Sequence, residues 1–293
     1  MNISVALGGG GAKGNSHIGV LRFLEQEGFK VRSIAGSSFG GMVACFYAAG
    51  FHPDQIEQIF SSMDQSRLYG RDRNENSSFL GLSRVSKWLD NSLGKRTFDD
   101  LSIPCAVTAV DLRTSQEVIL QKGLLRDAIL STIAVPGIFP PFLVEELELI
   151  DGAVLNPVPV ALARSLAPSL PVVAVTLATP LGKPPRSVPI PLINNLPAPL
   201  VSGLRNHRVT KAFDIFVLST DITNRQVTEL RFQIEKPDVI ISPEVDEIGM
   251  LDRVDVHELA KLGEMAARAK LPELRHIAAW TTRLRHSIFG VYE

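Results

Sequence analysis

Five glycines fall within seven positions, 8–14, directly behind the short apolar run 3–7. No other feature limits the fold so strongly. A glycine cluster costs conformational entropy, so it is kept where backbone must pass close to something a side chain would block. An apolar run that stops at glycine reads as a buried strand. Residues 15–27 then carry Ile18, Leu21 and Leu24 at helical spacing and stop at Gly28. Residues 33–36 read as a second short strand, and 39–49 as a nearly all-apolar, buried helix closed by Gly50. Strand–helix–strand–helix predicts an α/β fold with a parallel sheet and helices on its faces.

Further strands are expected at 104–112, 117–121, 147–150, 171–177 and 237–242, and a helix at 124–135 stopped by Pro136. Residues 51–100 break the rhythm: two modest helices flank the polar stretch 69–78, which reads as a helical insertion or cap with a mobile loop. The stretch 180–200 is rich in proline and apolar residues, a lid or lipid-entry candidate or simply a covered loop. A long helical stretch follows, and 243–293 reads as a C-terminal helical extension. With no repeat and no convincing linker, 1–293 is expected to form a single domain.

The formal net charge is −1, which removes the global basic field that nucleic acid binding needs. The two cysteines, Cys45 and Cys105, stand in apolar surroundings and read as buried reduced thiols. The start of the chain lacks the pattern of a secretory signal, and no uncharged apolar run reaches membrane-span length. These features point to the cytoplasm, with any membrane touched from one side. No metal or cofactor is expected, because no Cys/His ligand spacing and no EF-hand loop is present.

A second glycine cluster spans 36–41, where a predicted strand turns into a predicted helix. Gly36, Ser38 and Gly40 match G-x-S-x-G, the pattern of a strained elbow that pushes a serine above the sheet. The plainer reading makes Ser38 a helix N-cap. The first cluster can then supply backbone N–H donors to an oxyanion beside that serine. Its rivals are weaker. A P-loop needs G-K-[ST], and the order here is Lys13-Gly14-Asn15. Gly9, Gly11 and Gly14 match the dinucleotide fingerprint, but no acidic residue closes the second strand. Lys13 either serves an anionic group or the loop, or is a solvated lysine.

A serine nucleophile needs a base. Of the six histidines, none lies in a loop at the C-terminal end of a predicted strand, and His17 in the first helix reads as packed or capping. Asp151, directly after the predicted strand 147–150, is the better candidate. Asp151-Gly152 is also a strong hairpin signal, and both readings stay open.

Taken in order, Gly9-Gly10-Gly11-Ala12-Lys13-Gly14, Gly36-Ser37-Ser38-Phe39-Gly40 and Asp151-Gly152-Ala153 resemble the patatin-like phospholipase family. The stretches 131–142 and 156–160 resemble it too, so the likeness covers roughly 3–180. It implies a three-layer α/β/α sandwich with a mostly parallel central sheet, and a Ser–Asp dyad without histidine that hydrolyses lipid acyl esters. Carried over by position, Ser38 is the nucleophile and Asp151 the base. Gly9, Gly10, Gly11 and Gly14 belong to the oxyanion loop, and Lys13 fills the basic position. Intracellular bacterial-type members look most similar.

Three other schemes are open on the sequence: a Ser-Asp-His triad using His207 or His257, acyl transfer to an acceptor other than water, and a binding module for anionic ligands without turnover. The expected partner is a lipid or acyl-ester substrate, with no nucleic acid; the oligomeric state is not legible. Residues 271–293 place Leu274, Ile277, Leu284 and Ile288 near one helical face among basic residues. That face suits an anionic membrane surface, though a helix packed on its own core is the commoner outcome.

Overall fold

The computed structural model describes residues 1–62, 81–182 and 207–278, with 207–214 and 278 as backbone. The expected polar loop 69–78, most of the proline-rich stretch 180–200, and 279–293 lie outside the described residues. The elements are β1 (Asn2–Leu7), α1 (Ser16–Gln26), β2 (Lys30–Ser37), α2 (Phe39–Ala48), α3 (Pro53–Ser61) and α4 (Ser83–Leu93). There follow β3 (Cys105–Asp111), β4 (Gln116–Leu120), α5 (Leu125–Thr132), β5 (Phe142–Val144), β6 (Leu147–Asp151) and α6 (Val160–Leu166). The chain continues through β7 (Val172–Val175), α7 (His207–Glu235), β8 (Val239–Ile241), α8 (Val256–Ala269) and α9 (Leu271–Ala278).

These strands form one sheet in the order β5-β6-β3-β2-β1-β7-β8, with β4 also paired to β3. The pairs from β3 through β2, β1 and β7 to β8 are parallel, and β4, β5 and β6 join antiparallel. Side-chain alternation along each strand separates two layers. Ile3, Val5 and Leu7 of β1, Ile34 of β2 and Val173 and Val175 of β7 face the larger core beneath α1, α2, α3, α4 and α5. Ala6, Ala35, Ala106 and Ala174 face the other way, where their small size admits α6 close to the sheet. On that side the Ser33 hydroxyl donates to Ser4 Oγ, and the Ser4 hydroxyl donates to the Ala163 carbonyl, both at 2.8 Å, so the buried hydroxyls are paired. The result is a mostly parallel sheet between two helical layers, as the motifs implied.

The stretch expected as an insertion or cap over 51–100 forms α3 and α4, and both pack into the larger core. Phe46 of α2, Phe60 of α3 and Trp88 of α4 meet with ring centroids 5.1 Å (Phe46–Phe60) and 5.5 Å (Phe60–Trp88) apart. Three aromatic rings outweigh the polar character of the intervening loop, because each buries a large apolar area. The C-terminal helices are equally integral. Arg22 of α1 reaches Asp54 of α3 at 2.7 Å and Glu264 of α8 at 2.9 Å, and it also pairs with Glu57. Leu274 and Ile277 of α9 are buried, so the described part of that amphipathic segment turns its apolar face to its own core.

Along β3, Thr108 pairs with Ser37 of β2, and the next residue, Ala109, pairs with Asp151 of β6. Both neighbours lie on the edge opposite β4, which pairs with Val107 to Asp111. β2 ends where the antiparallel β6 ends, so their C-terminal residues abut head to head.

Candidate active site

The first residue past β2 is Ser38, held at φ 53° and ψ −131° as the N-cap of α2. A non-glycine residue with this backbone costs on the order of 1–3 kcal/mol and persists only where its surroundings enforce it. Here its N–H donates to Thr132 Oγ1 of α5 at 2.8 Å. Its hydroxyl donates to Asp151 Oδ2 at 2.5 Å. The other carboxylate oxygen, Oδ1, accepts from the Ala153 N–H at 2.8 Å. The Asp151 main-chain N–H donates to the Ala134 carbonyl at 3.0 Å. Ser38 is 5% exposed and Asp151 3%.

The turn geometry depends on Gly40. A Cβ there would lie 2.5 Å from both the Leu7 and Gly8 carbonyl oxygens at the end of β1. Leu7 ends a central strand, so its carbonyl cannot yield. Gly40→Ala is therefore expected to destabilise the fold by about 1–3 kcal/mol or more and to displace Ser38, measured as a lowered urea midpoint with parallel loss of activity. Gly152 is a glycine for a different reason from the hairpin that Asp-Gly suggested. Asp151 caps a short 3-10 turn, Gly152–Val154, and the hairpin of β6 lies at its other end, through Glu145 and Glu146 to β5. A Cβ on Gly152 would come within 2.3 Å of the Thr108 carbonyl oxygen, so close strand packing requires the glycine.

Burial dominates the electrostatics. It pushes the Asp151 carboxyl up to about 7, against the opposing pull of the Ser38 hydroxyl and the Ala153 N–H. Beside the pair opens a cavity of about 470 Å³, within the range of small-molecule sites. Its lining includes Ser38, Asp151, Gly9, Gly10, Gly11 and Lys13. Gly9 packs directly on the pair: a Cβ there would sit 3.0 Å from Ser38 Cβ and 3.1 Å from Ala153 Cβ. The Gly9 N–H donates to the Pro157 carbonyl at 2.9 Å, and the Ala12 N–H to the Met250 carbonyl at 2.8 Å. Between these anchors, the N–H groups of Gly10 and Gly11 make no backbone hydrogen bond among the described residues. Gly14 is not at the cavity; it underlies the Phe39 ring, 2.3 Å from where its Cβ would be.

Lys13 is pushed below its usual range by burial, countered by Asp221 and Asp246, reinforced by Arg225 and countered by Asp252. Asp221 and Arg225 of α7 pair at 2.5 Å. The wall formed by α7 is the part of the site that the sequence reading missed. Val217, Asp221, Asn224 and Thr228 recur at three- and four-residue intervals along that helix and face the cavity. That mixed small and polar stripe was the available signal. Thr132 was missed as well, inside a stretch read as a helix and as part of the family likeness, with no role given to its hydroxyl.

The histidine alternatives fall differently. His257 stands exposed on α8 with Nδ1 2.7 Å from Glu57 Oε1 and contributes nothing to the cavity lining. The His207 side chain lies outside the described residues. His17 is buried against the Gly8 carbonyl. Among the described residues, no group of three or more His, Cys, Asp or Glu side chains is placed to hold a metal ion.

A family model described as patatin-like phospholipase matches residues 5–164. An uncharacterized NTE family protein of Mycobacterium tuberculosis is 36% identical over 162 residues, covering 54% of this chain and 44% of its own. A second from the same organism is 26% identical over 288 residues, covering 92% and 46% respectively. The chain thus spans about half the length of the curated relatives it matches. Lysophospholipase NTE1 of Mycosarcoma maydis is 26% identical over 176 residues, 57% of this chain and 9% of its own. Among solved structures, VipD from Legionella pneumophila shares the fold with a TM-score of 0.55 at 14% identity, covering 92% of this chain and 66% of that one.

Proposed function

This chain belongs to the patatin-like phospholipase family, and from that premise we propose that it hydrolyses lipid acyl esters through a Ser38–Asp151 dyad. The observation that carries the reading is the 2.5 Å bond from the Ser38 hydroxyl to a buried carboxylate. A carboxylate in water, near 3.9, is a weak base toward serine. Burial raises this one to about 7, which improves its proton affinity while leaving it ionised in a useful fraction at neutral pH.

In the proposed reaction Ser38 Oγ attacks the ester carbonyl carbon as Asp151 Oδ2 takes the hydroxyl proton. The carbonyl oxygen becomes an oxyanion, met by the N–H groups of Gly10 and Gly11. Each such donor is worth about 10²–10³ in rate. The C–O bond to the leaving alcohol then breaks, the alcohol takes the proton from Asp151, and an acyl-serine remains. Water attacks that ester in the reverse sense, giving the fatty acid and free Ser38. The commitment of Gly9 N–H to Pro157 and the seat of Gly14 under Phe39 favour Gly10 and Gly11 as donors over their neighbours. Lys13 belongs to the reading as a partly desolvated cation at the cavity wall.

The relative named as a lysophospholipase supports a phospholipid-type ester as substrate. Peripheral contact with a membrane surface belongs to the same proposal: among the described residues no helix is long and apolar enough to cross a membrane, and Phe216, 45% exposed, lines the cavity. The test is reaction with a fluorophosphonate, in which Ser38 Oγ displaces fluoride. Mass spectrometry is expected to place the adduct on Ser38. Absence of an adduct would leave a binding module in place of an enzyme.

A further inference from the structure

His17 lies at the start of α1, and its ring is completely buried. Its Nε2 is 2.7 Å from the Gly8 carbonyl oxygen. Its Nδ1 is buried with no hydrogen-bond partner among the described residues. Burial holds its pKa down at about 4, so the ring is neutral across the working range. A carbonyl oxygen only accepts, so the single ring proton must sit on Nε2. A buried imidazole with one bare nitrogen is a poor core residue, since phenylalanine or leucine would fill the space without an unpaired polar atom. Among the described residues, the one polar contact of its ring is with the glycine loop.

That contact falls at a sensitive place. The peptide joining Gly8 to Gly9 has its carbonyl on His17 and its N–H on the Pro157 carbonyl. It is therefore clamped at both ends, at right angles to the chain. The next two N–H groups, of Gly10 and Gly11, are those assigned to the oxyanion. Glycine has no Cβ to resist rotation of its peptide planes. If the His17 end of the clamp is released, the peptide is held through its N–H alone, and the aim of the donors between Gly9 and Ala12 loosens.

Building on the dyad reading, we propose that His17 is a positioning residue, whose Nε2–H clamps the Gly8 carbonyl and thereby aims the Gly10 and Gly11 N–H groups at the oxyanion. Its contribution acts on the transition state, where charge reaches the carbonyl oxygen, and leaves ground-state binding nearly untouched.

The test compares His17→Phe, which keeps a planar ring and loses the donor, with His17→Gln, whose amide nitrogen reaches the position of Nε2. For the phenylalanine variant kcat on a p-nitrophenyl ester is expected to fall by about 10- to 10²-fold, a fraction of the effect of losing a donor outright, with KM little changed. Inhibition by a trifluoromethyl ketone, which places an oxyanion in the site, is expected to weaken by the same factor. The glutamine variant should recover most of both. Equal kcat in wild type and the phenylalanine variant, or equal losses in both variants, would overturn the assignment. If the phenylalanine variant does not fold, nitrogen-15 histidine NMR of the wild type decides. A proton on Nε2 whose resonance moves when the fluorophosphonate adduct forms supports the clamp. A proton on Nδ1, or an Nε2–H that does not respond, removes it. Wild-type labelling at Ser38 separates this result from the dyad reading: no label sinks both, whereas a label with an indifferent His17 sinks only the clamp.

Discussion

Ser38→Ala is expected to reduce ester hydrolysis on the order of 10⁴-fold or more, as loss of a nucleophile does, and to abolish fluorophosphonate labelling. The fold should survive. The N–H that braces position 38 against Thr132 belongs to the backbone and is kept. What changes is Asp151, which loses the hydroxyl that favours its charged form. The control is the neighbouring serine. Ser37 is the last residue of β2, fully buried, and its hydroxyl has no partner among the described residues. Ser37→Ala removes an unsatisfied polar atom and should leave both rate and thermal midpoint close to wild type. Activity retained in Ser38→Ala would end the proposal that this hydroxyl is the nucleophile.

Asp151→Asn separates catalysis from folding. The amide has the shape of the carboxylate, its oxygen can still accept from the Ala153 N–H, and its nitrogen can donate to Ser38 Oγ. What it cannot do is take a proton. A fall in kcat of about 10²–10⁴-fold is expected, the usual worth of a positioned general base. In the wild type, kcat/KM should rise with pH through about 7 as the carboxyl ionises, and that limb should vanish in the residual activity of the variant. Stability should move the other way. The folded pKa is raised, so the group's contribution to stability is complete below about 4, its unfolded value, and is lost as pH rises through about 7. At pH 8 the wild type therefore carries a buried charge that the amide lacks, a difference on the order of a few kcal/mol at most. The variant should melt no lower than wild type there. A much lower midpoint at pH 8 would show that the carboxylate is structural, not a base held at a cost.

Much of the architecture could be read locally. The β1, α1, β2 and α2 elements follow from apolar spacing and glycine stops, and the observed boundaries differ by a few residues at most. β5 was missed because Phe142 to Val144 is only three residues long and follows prolines, so no period could be counted. The two helices expected within 51–100 are present as α3 and α4, but where they pack was not legible. Polarity of a connecting loop says nothing about where flanking helices pack, and Phe60, Trp88 and Leu89 take them into the core. Likewise the hairpin signal at Asp151-Gly152 was a correct reading of a dipeptide in the wrong setting. The glycine serves contact with Thr108, not a turn.

By itself the sequence determined the local parts: a strand that must end at Gly8, an elbow that must carry Ser38, and an aspartate at the end of a strand. Each follows from short-range sterics and hydrophobic spacing, which act over a few residues. Only the tertiary structure decided that these parts meet. The approach of Ser38 and Asp151 depends on β2 and β6 sharing one edge of β3 in adjacent registers, a pairing of residues far apart in the chain. The basicity of Asp151 was equally beyond the sequence, because a pKa near 7 is set by how completely the surrounding fold excludes water from the carboxylate.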